Sequence, residues 1–453
     1  MTVFALSSAP GRGGIAVIRI SGRAARSTLD ALCHGRLPAP RMASFRRLRH
    51  PKTAEVLDEA LVLWLPGPAN FTGEDMAELH VHGGRAVIAG VLDALAAAGL
   101  RLAEPGEFTR RAFGNGKIDL TEAEGLADLL NAETACQRRQ ALAQHCGALR
   151  GHYELWRTTL LRAMAYVEAS LDFSDEEGIA ENAFREALPQ ARGLLGELER
   201  ALADGRRGEI VREGVQVAIL GAPNAGKSSL LNALAGREAA IVFHEPGTTR
   251  DVIEIALDLD GFPFILRDTA GLRETESPVE REGIRRALAS ARDADIVLLM
   301  QDASAPRTQG AAAELLTKEE GQDEARAGKA RITLTLVNKI DLAPGASPPH
   351  SALAISAKTG HGLDALKTAL VRIAEEIYGS GDTPLITRAR HRQEIERARS
   401  ALKAFLESAA AGHETELAAE HLRDASDALG RLTGRLDVED VLAQIFSEFC
   451  VGK

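Results

Sequence analysis

A glycine-rich loop that ends in lysine and serine has the most recognisable chemistry in this sequence. Residues 221–228 read Gly-Ala-Pro-Asn-Ala-Gly-Lys-Ser, which is the pattern G-x-x-x-x-G-K-S of phosphate-binding loops. In such loops, backbone N–H groups and a helix N-terminus surround the phosphates. We therefore expect Lys227 to reach the β- and γ-phosphates of a nucleotide and the Ser228 hydroxyl to bind Mg²⁺.

Two further motifs have the chemistry of a γ-phosphate sensor. Residues 268–271 read Asp-Thr-Ala-Gly after an apolar run. An aspartate at a strand end can hold Mg²⁺ through water, and the glycine there can donate its N–H to the γ-phosphate. Residues 247–251 read Gly-Thr-Thr-Arg-Asp. A threonine in a mobile loop that completes the Mg²⁺ shell only when γ-phosphate is present makes a switch.

Two later motifs predict the choice of base. Residues 338–341 read Asn-Lys-Ile-Asp, and residues 356–358 read Ser-Ala-Lys. The Asp341 carboxylate can accept two N–H groups from guanine, a pattern that adenine does not present, and the second motif completes the pocket. All five motifs occur in order at strand ends, which is typical of translation-factor-related GTPases. The sequence therefore predicts hydrolysis of GTP.

One position departs from the Ras-like pattern. Leu272 stands where those proteins carry the glutamine that orients the attacking water. Leucine cannot orient a water, so another group must do so. A carboxylate that follows the Asp-Thr-Ala-Gly motif, in the second switch of the GTPase, is one candidate for that group. Asn224 in the phosphate loop is a candidate ligand for an extra monovalent cation.

The elements that must position these motifs are short apolar strands alternating with helices. The strands are predicted over 215–220, 264–268, 296–300 and 332–337, and a helix over 229–235. This alternation predicts a doubly wound α/β domain, which we place at residues 211–378.

The N-terminal region has a different texture, and we place an α+β domain at residues 1–117. Alternating or apolar runs predict strands over 13–20, 60–65 and 76–82, and helical spacing predicts a helix over 86–95. Polar residues interrupt the strands, and from the pattern alone they belong to the outward face of half-buried strands. They are Arg19, Glu78, His80 and His82.

The sequence pattern predicts helices over residues 118–210 and 379–453. Long amphipathic stretches run over 121–149 and 161–171, and an acidic turn at 172–178 interrupts them. We expect one discontinuous helical domain that carries the nucleotide domain as an insertion, since the termini of inserted domains lie close together. Two unrelated helical regions are the alternative.

Composition excludes several classes of protein. The 453 residues carry a net charge of −10, which argues against nonspecific coating of nucleic acid. The basic patches at 46–50 and 388–392 are more typical of solvated surface than of an RNA site. The four cysteines form no C-x-x-C pair, so neither zinc nor a disulfide framework is indicated. Without a long apolar span or a basic leader, we predict a cytoplasmic protein that does not enter the membrane.

Motifs outside the nucleotide domain carry a resemblance along the whole chain. With the GTPase motifs, they resemble the MnmE (TrmE) family of tRNA modification GTPases. They lie at residues 10–19, 71–79, 82–84, 105–109, 117–120, 172–177 and 450–453.

The resemblance implies a multidomain α+β and α/β fold. An N-terminal tetrahydrofolate-binding domain forms a homodimer, and a discontinuous helical domain carries an inserted Ras-like G domain. The residues that match the family's folate contacts are Arg19, Glu78, Lys117 and Lys453. The ligand is a one-carbon derivative, 5-formyl- or methylene-tetrahydrofolate.

The resemblance also implies GTP hydrolysis that needs potassium and dimerisation of the G domains. The implied K⁺ ligands are Asn224, Phe243, Glu245 and Thr248, and the implied Mg²⁺ ligands are Ser228 and Thr249. Glu280 matches the glutamate that positions the water, with an exposed charge that opens a helix as the alternative. Lys227 is the other predicted catalytic residue. The predicted GTP contacts are Asn224, Ala225, Gly226, Lys227, Ser228, Ser229, Phe243, His244, Glu245, Pro246, Gly247, Thr248, Thr249, Asp268, Thr269, Ala270, Gly271, Asn338, Lys339, Asp341, Ser356, Ala357 and Lys358.

The implied reaction involves a partner and a tRNA. With the FAD- and NADH-dependent protein MnmG (GidA), the family adds a carboxymethylaminomethyl or aminomethyl group to C5 of the wobble uridine, position 34. Cys450 is either a nucleophile that attacks uracil C6 or a small residue that packs the tail. The alternative function is a regulatory GTPase of ribosome assembly, and residues 1–117 and 450–453 favour tRNA modification.

Overall fold

The structure is a computed structural model. It describes residues 1–9, 11–173, 176, 178–204, 206–222, 224–237, 240–241, 254–268, 291–304, 332–343, 349, 351–379, 384–411, 415–436, 442, 445–446, 449 and 451–452. Each of two compact units is assembled from separate stretches of chain. The first comprises Met1–Leu130, Gln144–Ala187 and Ser408–Lys453, and the second comprises Asn131–Ala143 and Leu188–Glu407.

The first unit contains a six-stranded sheet with the order β3-β4-β5-β2-β1-β6. Its neighbours pair antiparallel, apart from the parallel pair β1 and β6. The strands are β1 Val3–Leu6, β2 Ile15–Ser21, β3 Ser44–Arg49, β4 Val56–Leu65, β5 Met76–His82 and β6 Arg101–Leu102. The strands predicted over 13–20, 60–65 and 76–82 are confirmed as β2, β4 and β5. The others were not predicted.

Alternation along β2 divides its side chains between the two faces of the sheet. Ala16, Ile18 and Ile20 are buried in the main core of this sheet, while Val17 and Arg19 on the opposite face are half-buried. Burial of each isoleucine contributes about 1.5–3 kcal/mol. Because a shift of one residue would exchange the faces, this pattern fixes the register and places Arg19 on the second face, beside the apolar cluster that contains Ala5 and Phe108.

The basic residues at 46–50 lie along strand β3 and the residue after it, at the surface as predicted: Arg47 is exposed, and Arg46 and Arg49 are half-buried. Arg47 pairs with Glu59 across the β3–β4 ladder, at 2.6 Å. Arg46 and Arg49 donate to the backbone carbonyls of Arg36 and Ala54. These arginines therefore bind their own domain.

The helices of the described residues lie in both units. They are α1 Ala25–Leu32, α2 Arg85–Ala97, α3 Glu107–Gly114, α4 Leu120–Leu130, α5 Ala135–His145, α6 Ala148–Asp172, α7 Ile179–Leu202, α8 Arg207–Glu213, α9 Lys227–Arg237, α10 Leu363–Tyr378, α11 Ala389–Ala411 and α12 Thr415–Leu432. The helix predicted over 86–95 is confirmed as α2. None of these helices is long and apolar enough to cross a bilayer.

The amphipathic stretch 121–149 is not one continuous helix. It is divided among α4, α5 and the start of α6. Gly147 adopts a left-handed φ of +90° before α6, a conformation that favours glycine and ends helical continuity. The predicted break at the acidic turn is confirmed, since α6 ends at Asp172 and α7 begins at Ile179.

The second unit contains a seven-stranded sheet with the order β13-β12-β11-β7-β10-β9-β8. Five strands of the sheet are parallel to one another: β7, β10, β11, β12 and β13. Strand β9 pairs antiparallel with β10, and β8 pairs antiparallel with β9. The strands are β7 Val215–Gly221, β8 Ala240–Ile241, β9 Glu254–Leu259, β10 Phe262–Asp268, β11 Ile296–Asp302, β12 Ile332–Asn338 and β13 Ala352–Ala354. This order confirms the predicted doubly wound α/β domain, in which ligands bind at the carboxyl ends of the strands.

Candidate functional site

The phosphate loop connects the central strand β7 to helix α9, as the motif predicts. β7 ends at Gly221 and α9 begins at Lys227. Gly226 has a φ of +94°, and a Cβ placed there would lie 2.3 Å from Nδ2 of Asn338. Asn224 also adopts a left-handed φ of +63°, which asparagine tolerates better than most residues. The loop conformation thus requires glycine at 226 and accepts asparagine at 224.

Lys227 is folded back over the loop. Its Nζ donates to the carbonyls of Gly221 at 2.9 Å and Ala222 at 3.0 Å. The ammonium group therefore lies at the carboxyl end of β7, the end of the strand where a phosphate is expected. Ser228 is exposed in the first turn of α9, and its hydroxyl is of the type that binds Mg²⁺.

Asn338 connects the phosphate loop to the predicted base pocket. It is buried, with 2% of its surface exposed. Its Nδ2 donates to the carbonyl of Ala225 at 2.8 Å, and its Oδ1 accepts the N–H of Ala357 at 3.0 Å. This side chain holds three loops together: the phosphate loop, the turn after β12 and the loop after β13.

Asp341 is oriented by its partner motif. The Ser356 hydroxyl donates to Oδ1 of Asp341 at 2.6 Å, and Ser356 itself is fully buried. Asp341 and Lys358 are exposed, while Ala357 is half-buried. The structure therefore brings the two predicted base motifs together, with an oriented carboxylate at the surface where a guanine could present its N–H groups.

Asp302, which the motifs did not include, binds the lysine of the base motif. Its Oδ2 lies 2.6 Å from Nζ of Lys339, and its Oδ1 accepts the N–H and the hydroxyl of Ser304. Burial alone would raise the pKa of Asp302, but the hydrogen bonds from Lys339 and Ser304 hold this pKa below its ordinary value. The sequence could have indicated Asp302 as a candidate, because it ends an apolar strand as Asp268 does.

Several predicted site residues lie outside the described residues, and their roles stay predictions. The side chain of Asp268 is among them, although its backbone ends β10. The others are Phe243, His244, Glu245, Pro246, Gly247, Thr248, Thr249, Thr269, Ala270, Gly271, Leu272, Glu280, Cys450 and Lys453.

A second polar cluster lies on the face of the first unit's sheet that is opposite to Ile18 and Ile20. Arg19 and Glu78 are direct cross-strand partners on β2 and β5. Nε and Nη2 of Arg19 both lie 3.0 Å from Oε1 of Glu78, and Nε2 of His80 lies 3.4 Å from Oε2. The guanidinium also stacks 5.8 Å from the centre of the Phe108 ring. The carboxylate is thus held between a permanent cation and an imidazole.

Lys117, the remaining predicted folate contact among the described residues, lies at a separate position from the Arg19–Glu78 pair. Lys117 is exposed, and its methylene groups lie over Gly73, where an added Cβ would be 3.3 Å from its Cδ. His82 pairs with Asp58 at 2.8 Å through Nδ1, a contact that the sequence did not predict. The structure therefore joins Arg19 directly to Glu78 but places Lys117 in separate contacts.

The sheet order, phosphate loop and base pocket define a guanine-nucleotide-binding α/β domain within a larger chain. Two family models match the sequence: the MnmE helical domain over residues 120–450 and the GTP-binding protein TrmE N-terminus over residues 2–117. The chain belongs to the MnmE family of tRNA modification GTPases, which confirms the resemblance stated above.

Individual relatives agree along their whole length. The tRNA modification GTPase MnmE of Parvibaculum lavamentivorans is 52% identical, with 100% of both chains covered. That of Paramagnetospirillum magneticum is 50% identical, covering 100% of this chain and 99% of the relative. The solved G domain of the T. maritima FeoB iron transporter is 26% identical, covering 35% of this chain and 98% of that one, with a TM-score of 0.25. The assignment of the α/β fold therefore comes from the sheet order of the second unit and not from this structure.

Proposed function

We propose that this chain is a potassium-dependent GTPase that modifies the wobble uridine of certain tRNAs with a one-carbon folate and the flavin-dependent partner MnmG. The observation that carries the nucleotide part is the Asn338 side chain, which connects the phosphate loop to the loop that orients Asp341. The binding of guanine and the binding of phosphate by the glycine-rich loop would then both depend on the hydrogen bonds of Asn338. Family membership supports the tRNA part.

Selectivity for guanine follows from the chemistry of Asp341. A carboxylate accepts the N1–H and the amino group of guanine, and the Ser356 hydroxyl orients this one. Asp341→Asn replaces an acceptor with a partial donor facing those N–H groups. We expect this variant to lose most of its preference for GTP over xanthosine triphosphate in equilibrium binding. An unchanged preference would contradict the assignment of the base pocket.

Potassium dependence is supported by the position and conformation of Asn224. Its left-handed backbone lies in the phosphate loop, where a side-chain carbonyl can help to bind a monovalent cation. Asn224→Gly keeps access to this backbone conformation and removes the oxygen. We expect GTP turnover of the parent protein to rise steeply when K⁺ replaces Na⁺, and the variant to lose that rise while it retains GDP affinity. Equal rates of the parent in the two salts would contradict the role of the ion.

Glu280 is the proposed residue that positions the attacking water, because Leu272 cannot do so. Glu280→Ala should lower kcat and leave nucleotide affinity nearly unchanged. Single-turnover hydrolysis, together with equilibrium binding of GDP, measures the two quantities separately. If kcat does not change, Glu280 is a surface charge at a helix start.

The proposed folate site is the Arg19–Glu78 cluster, with Lys117 and Lys453 as further contacts. A carboxylate such as Glu78 accepts N–H groups from the aminopyrimidine edge of a pterin, and lysines are suited to the carboxylates of the folate tail. The half-buried setting of Arg19 and Glu78, with about a fifth of each side chain exposed, supports a site open to a ligand. Titration calorimetry with 5-formyltetrahydrofolate tests this proposal, and absence of binding at millimolar ligand would contradict it.

The tRNA reaction is tested in cells. We propose that a homodimer of this chain acts with MnmG on tRNA, with Cys450 as either a nucleophile or a packing residue. Deletion of the gene should remove the modified nucleoside at position 34, and nucleoside analysis of purified tRNA measures it. Restoration by the parent gene but not by an Arg19→Ala variant would link the folate cluster to the reaction. An unaltered wobble position would instead favour the regulatory function in ribosome assembly.

A further inference from the structure

The C-terminal tail is attached to the sheet that carries the Arg19–Glu78 cluster. Val451 forms an antiparallel bridge with Pro105. The carbonyl of Gly452 accepts the Ser7 hydroxyl at 2.9 Å and Nη1 of Arg19 at 3.4 Å. Two residues from the start of the chain therefore meet at one carbonyl oxygen near its end.

Close backbone contact explains the glycine at this point. Gly452 has a φ of +97°, and a Cβ there would lie 2.4 Å from the carbonyl oxygen of Leu6 and 2.9 Å from Cα of Ser7. Backbone atoms cannot move away as the end of a flexible side chain can. A side chain at 452 would therefore displace the tail from the 6–7 segment.

A second close approach lies further up the tail. Gly106, with a φ of +66°, would bring an added Cβ to 2.7 Å from the carbonyl oxygen of Phe446. Ile445, Phe446 and Phe449 pack into a buried apolar cluster with Leu120. Ile445, Phe446 and Phe449 therefore anchor the chain by apolar packing upstream of the hydrogen bonds at Gly452.

We propose that Ser7 is a positioning residue of the folate site, acting through the Gly452 carbonyl. The guanidinium of Arg19 is oriented by three groups: the Glu78 carboxylate, the Phe108 ring and this carbonyl. The Ser7 hydroxyl makes the shorter of the two hydrogen bonds to this carbonyl, and we infer that it holds the carbonyl where it accepts from Arg19. This inference rests on the proposed folate function and adds a residue that acts on the site through the backbone of Gly452.

The obvious competing explanation is that Ser7 only stabilises the domain. Ser8 provides a matched comparison, because its hydroxyl accepts the N–H of Val17 at 3.2 Å, whereas the Ser7 hydroxyl donates to the Gly452 carbonyl. A purely structural effect would make Ser7→Ala and Ser8→Ala alike. A positioning effect would separate them.

The experiment uses the full chain and three variants: Ser7→Ala, Ser7→Thr and Ser8→Ala. Affinity for 5-formyltetrahydrofolate is measured by titration calorimetry, and release of Lys453 by carboxypeptidase B is followed by mass spectrometry. Loss of one such hydrogen bond should weaken folate binding about three- to tenfold in Ser7→Ala. The same variant should release Lys453 faster, and its GTP turnover should equal that of the parent. Ser7→Thr, which retains the hydroxyl, should restore both properties, and Ser8→Ala should resemble the parent.

The outcomes separate this inference from the function on which it rests. If the parent chain binds no folate, the proposed folate function is wrong and the inference fails with it. If the parent binds folate and Ser7→Ala binds it equally well, the folate function stands and the positioning role is wrong. Equal weakening in Ser7→Ala and Ser8→Ala would also overturn the positioning role.

Discussion

The nucleotide site and the Arg19–Glu78 cluster differ in how the chain builds them. The first is made of loops at the carboxyl ends of neighbouring parallel strands, where each loop contributes a short contiguous motif. The second lies on the face of an antiparallel sheet and collects single residues from positions 19, 78, 108 and 452. Backbone conformation dominates the first site, and side-chain pairing dominates the second.

This difference has energetic consequences. A backbone-built loop requires particular φ angles and close contacts, so the wrong residue there costs strain of about 1–3 kcal/mol in addition to a clash. About a fifth of each side chain of the Arg19–Glu78 pair is exposed, so water partly screens this ion pair and it contributes less. Substitutions in the nucleotide site should therefore have the larger effects, unless they touch only its charged rim.

The largest expected effect is at Gly226. Gly226→Ala must place a Cβ 2.3 Å from Nδ2 of the buried Asn338 and accept a φ of +94°. We expect affinity for a fluorescent GDP analogue to fall by about 100-fold, in line with backbone strain of this kind. Gly236→Ala in helix α9 is the control, since its added Cβ meets nothing within 4 Å. Tight binding by Gly226→Ala would show that the loop is more adaptable than its contacts indicate.

The next effect concerns helix α3, whose Phe108 ring packs against Arg19. Glu107 is buried beside Phe108, and its Oε1 accepts Arg101 at 2.6 Å and Arg111 at 2.9 Å. Burial alone would raise the pKa of Glu107, but the N–H of Glu104 and the two guanidinium groups hold this pKa below its ordinary value. We expect Glu107→Gln to lower the free energy of unfolding by about 2 kcal/mol at pH 7, because hydrogen bonds to charged groups are lost.

The sign of the pH dependence follows from the lowered pKa of Glu107. Its stabilisation is present above the ordinary glutamate pKa of about 4.3 and is lost as the pH falls through the lower pKa in the fold. The parent and Glu107→Gln should therefore converge in stability at acid pH. Both tryptophans, Trp64 and Trp156, belong to the first unit, so tryptophan fluorescence during urea unfolding reports on it. Glu104→Gln, at an exposed carboxylate, is the control and should change stability by less than about 0.5 kcal/mol.

The same contrast explains how much could be predicted from the sequence. The strands of the nucleotide domain are apolar runs followed by recognisable loops, so β7, β10, β11 and β12 and their motifs were predicted from local pattern. Strand β3 was missed because its arginines hide the alternation, and their partners lie on strand β4 and in the loops on either side of β3. The contact between Ser7 and Gly452 joins residues 445 positions apart. Hydrophobic periodicity could not predict this contact, because it depends on how the N-terminal and C-terminal ends of the chain are brought together in the fold.

A smaller effect is expected within the second cluster itself. Glu78→Gln keeps one acceptor for Arg19 but removes the charge that both Arg19 and His80 face. We expect affinity for 5-formyltetrahydrofolate to fall by about tenfold, with little change in unfolding, since charge-assisted hydrogen bonds are roughly twice as strong as neutral ones. Glu59→Gln on the neighbouring strand β4, which pairs with the exposed Arg47, is the control. Retained affinity in Glu78→Gln would remove Glu78 from the site.

The smallest expected effect sharpens the comparison, because it places a side-chain ion pair at the rim of the backbone-built site. Asp302 binds Lys339 at 2.6 Å and is itself held by Ser304. If Asp302 only steadies Lys339, Asp302→Asn should weaken GDP binding by no more than about threefold, as expected for a partly exposed pair. The weakening should shrink further at high salt, because screening acts on such a pair. Calorimetric titration with GDP at low and high KCl measures both, and Ser304→Ala should reproduce part of the loss. A tenfold or larger loss would instead mean that Lys339 is as deeply built into the pocket as Asn338, and that side-chain pairing dominates both sites.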